Sequence, residues 1–211
     1  MDCATNMCSI IGSKSRERLS QLAELNEYRG THSHSLFVFN DENELIYDYR
    51  GFSKLVISDH VVGGAYYIAH QQAPTTDAKD VQAIHPANVD DALLWHNGII
   101  KADDVKRLQQ LHETDEKWDT KLLLTHYMET SNLSDVDGTF ACVMWKDYEF
   151  RIFRNEISPL FYNEQGDISS TKFENSLPIP PNKVLTFNPH YNNMFNVVSE
   201  FATKENPYFF A

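Results

Sequence analysis

From Thr139 onward the chain runs in short apolar-rich segments with no helical stretch between them. TFACVMW, EFRIFRN, LFYN, ISSTKF, KVLTF and FNVVS follow one another, with turns at Lys146-Asp147, Glu164-Gln165-Gly166 and Asn192-Asn193. Parallel strands need a crossover of about a dozen residues or more, whereas antiparallel strands close through tight turns. Spacers this short therefore demand an antiparallel meander.

The earlier part of the chain supplies the other elements. Ser9-Gly12 reads as a short buried strand. Leu19, Leu22, Ala23 and Leu25 are spaced for a helix over 15–28 that stops at Arg29-Gly30. SLFVFN and ELIYDYRG, parted by Asp41-Glu42-Asn43, signal a hairpin. AYYIAH and ALLW are two further strands. The period then changes, and DDVKRLQQLH and DTKLLLTHYMET read as helices. Strands, then helices, then a strand meander define an α+β fold with mainly antiparallel sheets.

A chain of 211 residues fits one domain with a substantial core, and no Pro/Gly/Ser-rich linker or internal repeat divides it. A net charge of −12 argues against a nucleic-acid-binding face. The densest basic group, Lys14, Arg16 and Arg18, is interrupted by Glu17. No apolar run approaches the roughly 18 residues of a membrane helix. The start lacks the basic-then-apolar pattern of a signal peptide. The expectation is a cytoplasmic protein with neither nucleic acid nor membrane as partner. Cys3, Cys8 and Cys142 make no disulfide framework. The HSHS run at 32–35 has no second ligand cluster and no CxxC beside it, so neither metal nor cofactor is expected.

Four places could carry chemistry. Cys8 is either a small core residue or a nucleophile. If it were the first residue, its α-amino group (unperturbed pKa about 7.7–8.0) would be the base. Asn97-Gly98 is either a plain turn or a pair of donors that converge on an oxyanion. Asp119, at a helix start, suits the helix dipole or a cap, or could hold a substrate amine. His70 and His85 read first as core or loop histidines.

The order of these signals resembles one family. MCSIIG is similar to the MCGIVG start of the class II glutamine amidotransferases, the N-terminal-nucleophile (Ntn) glutaminases. YRGTHS at 28–33 resembles the family's RGxDS segment, AHQQAPT at 69–75 its GHTRWAT, and AIHP at 83–86 its NAHP. HNGII at 96–100 resembles VHNGII, and WDTKLLL at 118–124 resembles SDTEVLL. Gly138-Thr139-Phe140-Ala141 resembles GxFA, RNEISPLFY at 154–162 resembles RDxxGxxPLYY, and Ile168-Ser169-Ser170 falls where the family has ASE. The matches run in order from residue 7 to about residue 175.

The resemblance implies a four-layer αββα sandwich of Ntn-hydrolase type over 8–211. It implies that Cys8 attacks the side-chain amide of glutamine, with its own amine moving the proton. Glutamate and ammonia result by way of a thioester. Asn97 and Gly98 would form the oxyanion hole and Asp119 would hold the substrate ammonium. Gln72 and Thr75 would be substrate contacts, and Arg29 and His70 would support the site. Residues 1–7 are surplus to the resemblance and read as a propeptide or an upstream start. No length remains for a synthetase and there is no glycine-rich phosphate loop, so the ammonia acceptor is expected to be a separate synthetase subunit.

Three positions depart from the family. Gln72 stands where an arginine pairs with the substrate carboxylate, which predicts weak glutamine affinity unless Arg29, Arg50 or Arg154 substitutes. Ser9 replaces a glycine and His32 an aspartate. The alternatives kept open are an Ntn amidohydrolase acting on another small amide and a non-catalytic regulatory subunit.

Overall fold

The computed structural model describes residues 8–60, 62–73, 80–191 and 194–204. Segment 1–7, Thr75 and the expected turn at Asn192-Asn193 lie outside the described residues.

Two antiparallel sheets face each other. The first comprises β1 (Ser9–Ser13), β2 (Ser33–Phe39), β3 (Leu45–Gly51), β4 (Tyr66–Gln72), β9 (Phe161–Tyr162), β10 (Ile168–Ser169) and β11 (Leu177–Pro178). Its seven strands run in the order β11-β9-β10-β1-β4-β2-β3. The second comprises β5 (Ala87–Val89), β6 (Ala92–Ile100), β7 (Gly138–Lys146), β8 (Glu149–Arg154), β12 (Lys183–Phe187) and β13 (Phe195–Glu200). Its six strands run β13-β12-β8-β7-β6-β5. Helix α1 (Arg16–Leu25) covers the outer face of the first sheet, and α2 (Ala102–Leu111) and α3 (Asp119–Thr130) cover that of the second.

Strand periodicity sorts the side chains into these layers. Ile10, Phe37, Phe39, Ile68, Trp95 and Val143 point between the sheets. Their neighbours Ile11, Leu36, Val38 and Ala69 turn toward α1. Leu94, Phe140, Cys142 and Met144 turn toward α2 and α3. Both faces are covered, so β1, β2 and β4 are buried from end to end, including the polar residues at 33–35 and 70–72. Cys142 is a core residue.

Two local departures from the sequence reading shape the site. The first helix ends at Leu25, three residues early, because the Asn26 side-chain amide donates to the Leu22 carbonyl and to Ser169 Oγ, both at 2.8 Å. A tight turn over Glu27–Arg29 follows and aims Arg29 back at the head of β1. Asn97-Gly98 is not a turn but lies inside β6, paired with Ala141 and Phe140 of β7. The short strands β5 and β11 carry no legible pattern and were not expected.

The helices over the second sheet are held together by a polar line. His112 pairs with Glu129 at 2.7 Å and with His126 at 3.0 Å, and His126 Nε2 donates to Asp135 at 3.0 Å. Arg107 of α2 closes the line on Asp135 at 3.0 Å. This matters because α2 and α3 wall the cavity described next.

Candidate active site

Strand β1 lies inside its sheet between β10 and β4, and the residue just ahead of it is Cys8. Its carbonyl receives Arg29 Nε at 3.0 Å and, with the Asn97 amide oriented as the surrounding donors and acceptors require, the Asn97 nitrogen at 2.8 Å. The Asn97 amide oxygen accepts from Arg29 Nη2 at 3.2 Å, closing a triangle of Cys8, Arg29 and Asn97. Ser170 fastens the same corner by accepting from the Ile10 N–H at 3.0 Å.

Glycine is required at two places. A Cβ on Gly30 would meet the Ala73 nitrogen at 2.5 Å, so only glycine lets the chain carrying Arg29 cross the end of β4. Gly98 has φ +156°, and a Cβ there would lie 1.9 Å from the Thr139 carbonyl oxygen. Ser9, by contrast, is accommodated: it is fully buried and its hydroxyl donates to Gln71 at 3.2 Å.

Cys8 opens onto a cavity of about 850 Å³. Gln72, His85, His96, Gly98, Asp119 and Thr120 share its wall with Cys8. Asp119 accepts from the Ile100 N–H at 3.1 Å and the Thr120 N–H at 2.8 Å, so it fixes the start of α3 against β6. His70 lies beneath this wall, fully buried, with Nε2 donating to the His96 carbonyl at 3.1 Å. Its ring stacks on His85 with centroids 4.2 Å apart. Burial pulls its pKa down to about 3, and burial lowers His85 and His96 as well.

The structure thus brings Cys8, Arg29, Asn97, Gly98, Gln72 and Asp119 to one corner and sets His70 directly behind it. Of the three candidate arginines only Arg29 reaches this corner. Arg50 donates to the Pro86 carbonyl at 3.1 Å and Arg154 to the Ile179 carbonyl at 2.6 Å. Sequence reasoning missed Thr120 and His96. Both were visible in WDT and WHNG, but nothing in a sequence says that a helix start and a strand end will meet. Among the described residues no group of side chains is arranged to hold a metal ion.

The Cys8 thiol is pushed up to about 11, first by burial and then by the Asp119 charge, against the opposing pull of Arg29 and a backbone N–H. At neutral pH it is a thiol, and a base must remove its proton before it can attack. In the full sequence its own nitrogen is an amide bonded to Met7. Alkylation at Cys8 in the full-length Cys3→Ala chain by a small neutral electrophile should therefore rise about tenfold per pH unit between pH 8 and pH 10. A plateau near pH 8 in a rate-versus-pH measurement would show that a base already serves it.

Two facing antiparallel sheets with helices on both outer sides are the four-layer αββα sandwich of Ntn-hydrolase type. The same fold occurs in glutamine phosphoribosylpyrophosphate amidotransferase from B. subtilis, which aligns over 94% of this chain with a TM-score of 0.71 and 16% identity. A structure described as the allosteric regulatory enzyme of purine biosynthesis aligns over 93% with a TM-score of 0.70 and 16% identity. This chain spans about half the length of each, 50% and 49%. A glutamine aminotransferase class-II domain protein from Silicibacter pomeroyi aligns over 92% of this chain and 99% of its own, with a TM-score of 0.51 and 8% identity. No protein-family model and no curated protein sequence matches the chain. The structural neighbours are class II glutamine amidotransferases, and this chain has their fold at a divergent sequence.

Proposed function

We propose that the chain is a class II amidotransferase-type glutaminase whose nucleophile is Cys8, exposed as the first residue when segment 1–7 is removed. The observation that carries this reading is the clamp of Arg29 and Asn97 on the Cys8 carbonyl at the mouth of the cavity. A buried arginine and a buried amide spent on one backbone carbonyl hold that residue's position to a fraction of an ångström, as a nucleophile requires.

The freed α-amine takes the thiol proton while Sγ adds to the amide carbon. Asn97 and the Gly98 N–H stabilise the oxyanion. The proton passes to the leaving nitrogen, the C–N bond breaks, and ammonia departs from a thioester. Water then adds, the C–S bond breaks, and the carboxylate product leaves with the thiol restored. Asp119 holds the substrate amine, and Gln72 and Thr75 contact the rest of it. A separate cytoplasmic synthetase accepts the ammonia. No described helix is long and apolar enough to cross a membrane.

Intact-mass measurement with an electrophilic glutamine analogue tests the reading. Protein beginning at Cys8 should gain one adduct, absent in Cys8→Ala and in chains that keep residues 1–7. An unmodified Cys8-initiated chain would remove glutamine as substrate. Equal modification of the longer chain would remove the α-amine as base.

A further inference from the structure

Four side chains of the cavity wall and the Thr139 carbonyl form one hydrogen-bonded line. The Gln72 amide lies 3.1 Å from His85 Nδ1, and His85 Nε2 lies 3.0 Å from Thr120 Oγ1. Thr120 Oγ1 lies 3.0 Å from His96 Nδ1, and His96 Nε2 lies 3.2 Å from the Thr139 carbonyl. Gln72, His85, Thr120 and His96 are all buried.

A neutral imidazole has one N–H and one lone pair, a hydroxyl has one hydrogen, and a carbonyl only accepts. The Thr139 end therefore sets the polarity of the whole line. His96 must carry its hydrogen on Nε2, which leaves Nδ1 as an acceptor. Thr120 spends its only hydrogen on that Nδ1 at 3.0 Å in preference to Asp119 Oδ1, its other acceptor, at 3.5 Å. His85 must then donate from Nε2 to Thr120, and its Nδ1 becomes a lone pair. The atom of Gln72 that faces it has to be the NH2 nitrogen, since amide orientation is assigned from such a network.

The opposite polarity would set the His96 Nε2 lone pair against the Thr139 oxygen. Its only gain is a 3.5 Å contact from the His85 backbone N–H to the Gln72 oxygen, at the limit of a hydrogen bond. A second proton on the line would also reconcile both ends, but burial disfavours the charged form of either ring.

We propose that this relay fixes Gln72 with its carbonyl oxygen toward the Cys8 cavity, so that the site selects amides bearing a hydrogen-bond donor, not a carboxylate, at that position. The acyl group to be transferred would then carry a carboxamide, a peptide N–H, a hydroxyl or an ammonium against Gln72. A carboxylate there would meet an oxygen already oriented against it and leave both without a partner. The substrate class rests on the reading of Cys8 as nucleophile, and glutamine itself fits only with its α-carboxylate turned away from Gln72. The orientation of Gln72 does not rest on that reading.

Two measurements test it. Ring-nitrogen NMR of histidine-labelled full-length protein at pH 7.5 should find His85 and His96 both neutral and both protonated on Nε2. A hydrogen on His85 Nδ1 overturns the orientation, whatever the protein's activity. The Cys8-initiated chain should hydrolyse glutaramide at least about tenfold more efficiently in kcat/KM than its monoacid, glutaramate. Because Asp119 also repels the acid, the decisive figure is the part of that preference lost in Gln72→Leu, expected to be threefold or more. An unchanged preference in Gln72→Leu, or a preference for glutaramate, overturns the selectivity. Hydrolysis of neither amide instead counts against Cys8 as nucleophile and leaves the NMR result to decide the orientation.

Discussion

Asn97→Ala in the Cys8-initiated chain should lower kcat by about 10²–10³-fold with little change in KM, the usual loss for one oxyanion donor. The geometry makes the size of the effect interpretable. The Asn97 amide nitrogen has two hydrogens, and one is spent on the Cys8 carbonyl at 2.8 Å. The second is available to charge that develops only when Sγ has added to the amide carbon. The alanine variant also strips Arg29 of an acceptor and the Cys8 carbonyl of a donor, which costs stability of about 1–3 kcal/mol. Asn97→Asp keeps an oxygen for Arg29 but removes both N–H donors and sets its second oxygen against the Cys8 carbonyl oxygen, so it should recover none of the turnover and little of the stability. Steady-state kinetics alongside urea unfolding of both variants decides the matter. Turnover within a few fold of the parent in either variant would mean that Asn97 is a structural clamp alone.

How much of this corner was legible beforehand depends on whether the signal was local. Cys8, Arg29, Asn97, Gly98 and Asp119 stood out because each belongs to a short run whose order along the chain resembles one family. Strands with a wet edge or a dry double face were readable from pattern, as in β2 and β4. Local reading left Asn97-Gly98 as either a turn or a donor pair, because that dipeptide favours positive φ. The structure grants Gly98 its positive φ inside β6, where the Thr139 carbonyl leaves no room for a Cβ. Thr120 and His96 were illegible for a different reason. They lie 24 residues apart and meet only because α3 packs its first turn over the end of β6. Gln72 was read as a weakened carboxylate partner. Its bond to His85, 13 residues away in the AIHP segment, follows from no spacing in the sequence.

The same buried histidines make the protein acid-sensitive well above the range in which carboxylates titrate. His70 is fully buried, donates from Nε2 to the His96 carbonyl and has no partner for Nδ1 among the described residues. A second proton would have to go onto that bare nitrogen, in the stack against His85. Its folded pKa is accordingly pulled down to about 3 from 6.5. As pH falls, the unfolded chain takes up this proton first, so stability is complete above pH 6.5 and is lost progressively toward pH 3. That gap corresponds to about 5 kcal/mol for one residue, against a total of about 5–15 kcal/mol for a typical domain. His85 and His96 shift in the same direction, and so do the less buried His60 and His190. Asp135 and Glu116, both lowered, also lose stability on acidification, but only from the ordinary carboxylate range downward. The window from pH 6.5 to pH 5 therefore isolates the histidines. Urea midpoints should fall steeply across it, and His70→Asn should flatten the slope by about one proton's worth, even if it is less stable at pH 7.5. A flat midpoint across that window, or a slope unchanged in His70→Asn, would mean that the wall behind Cys8 admits a charge.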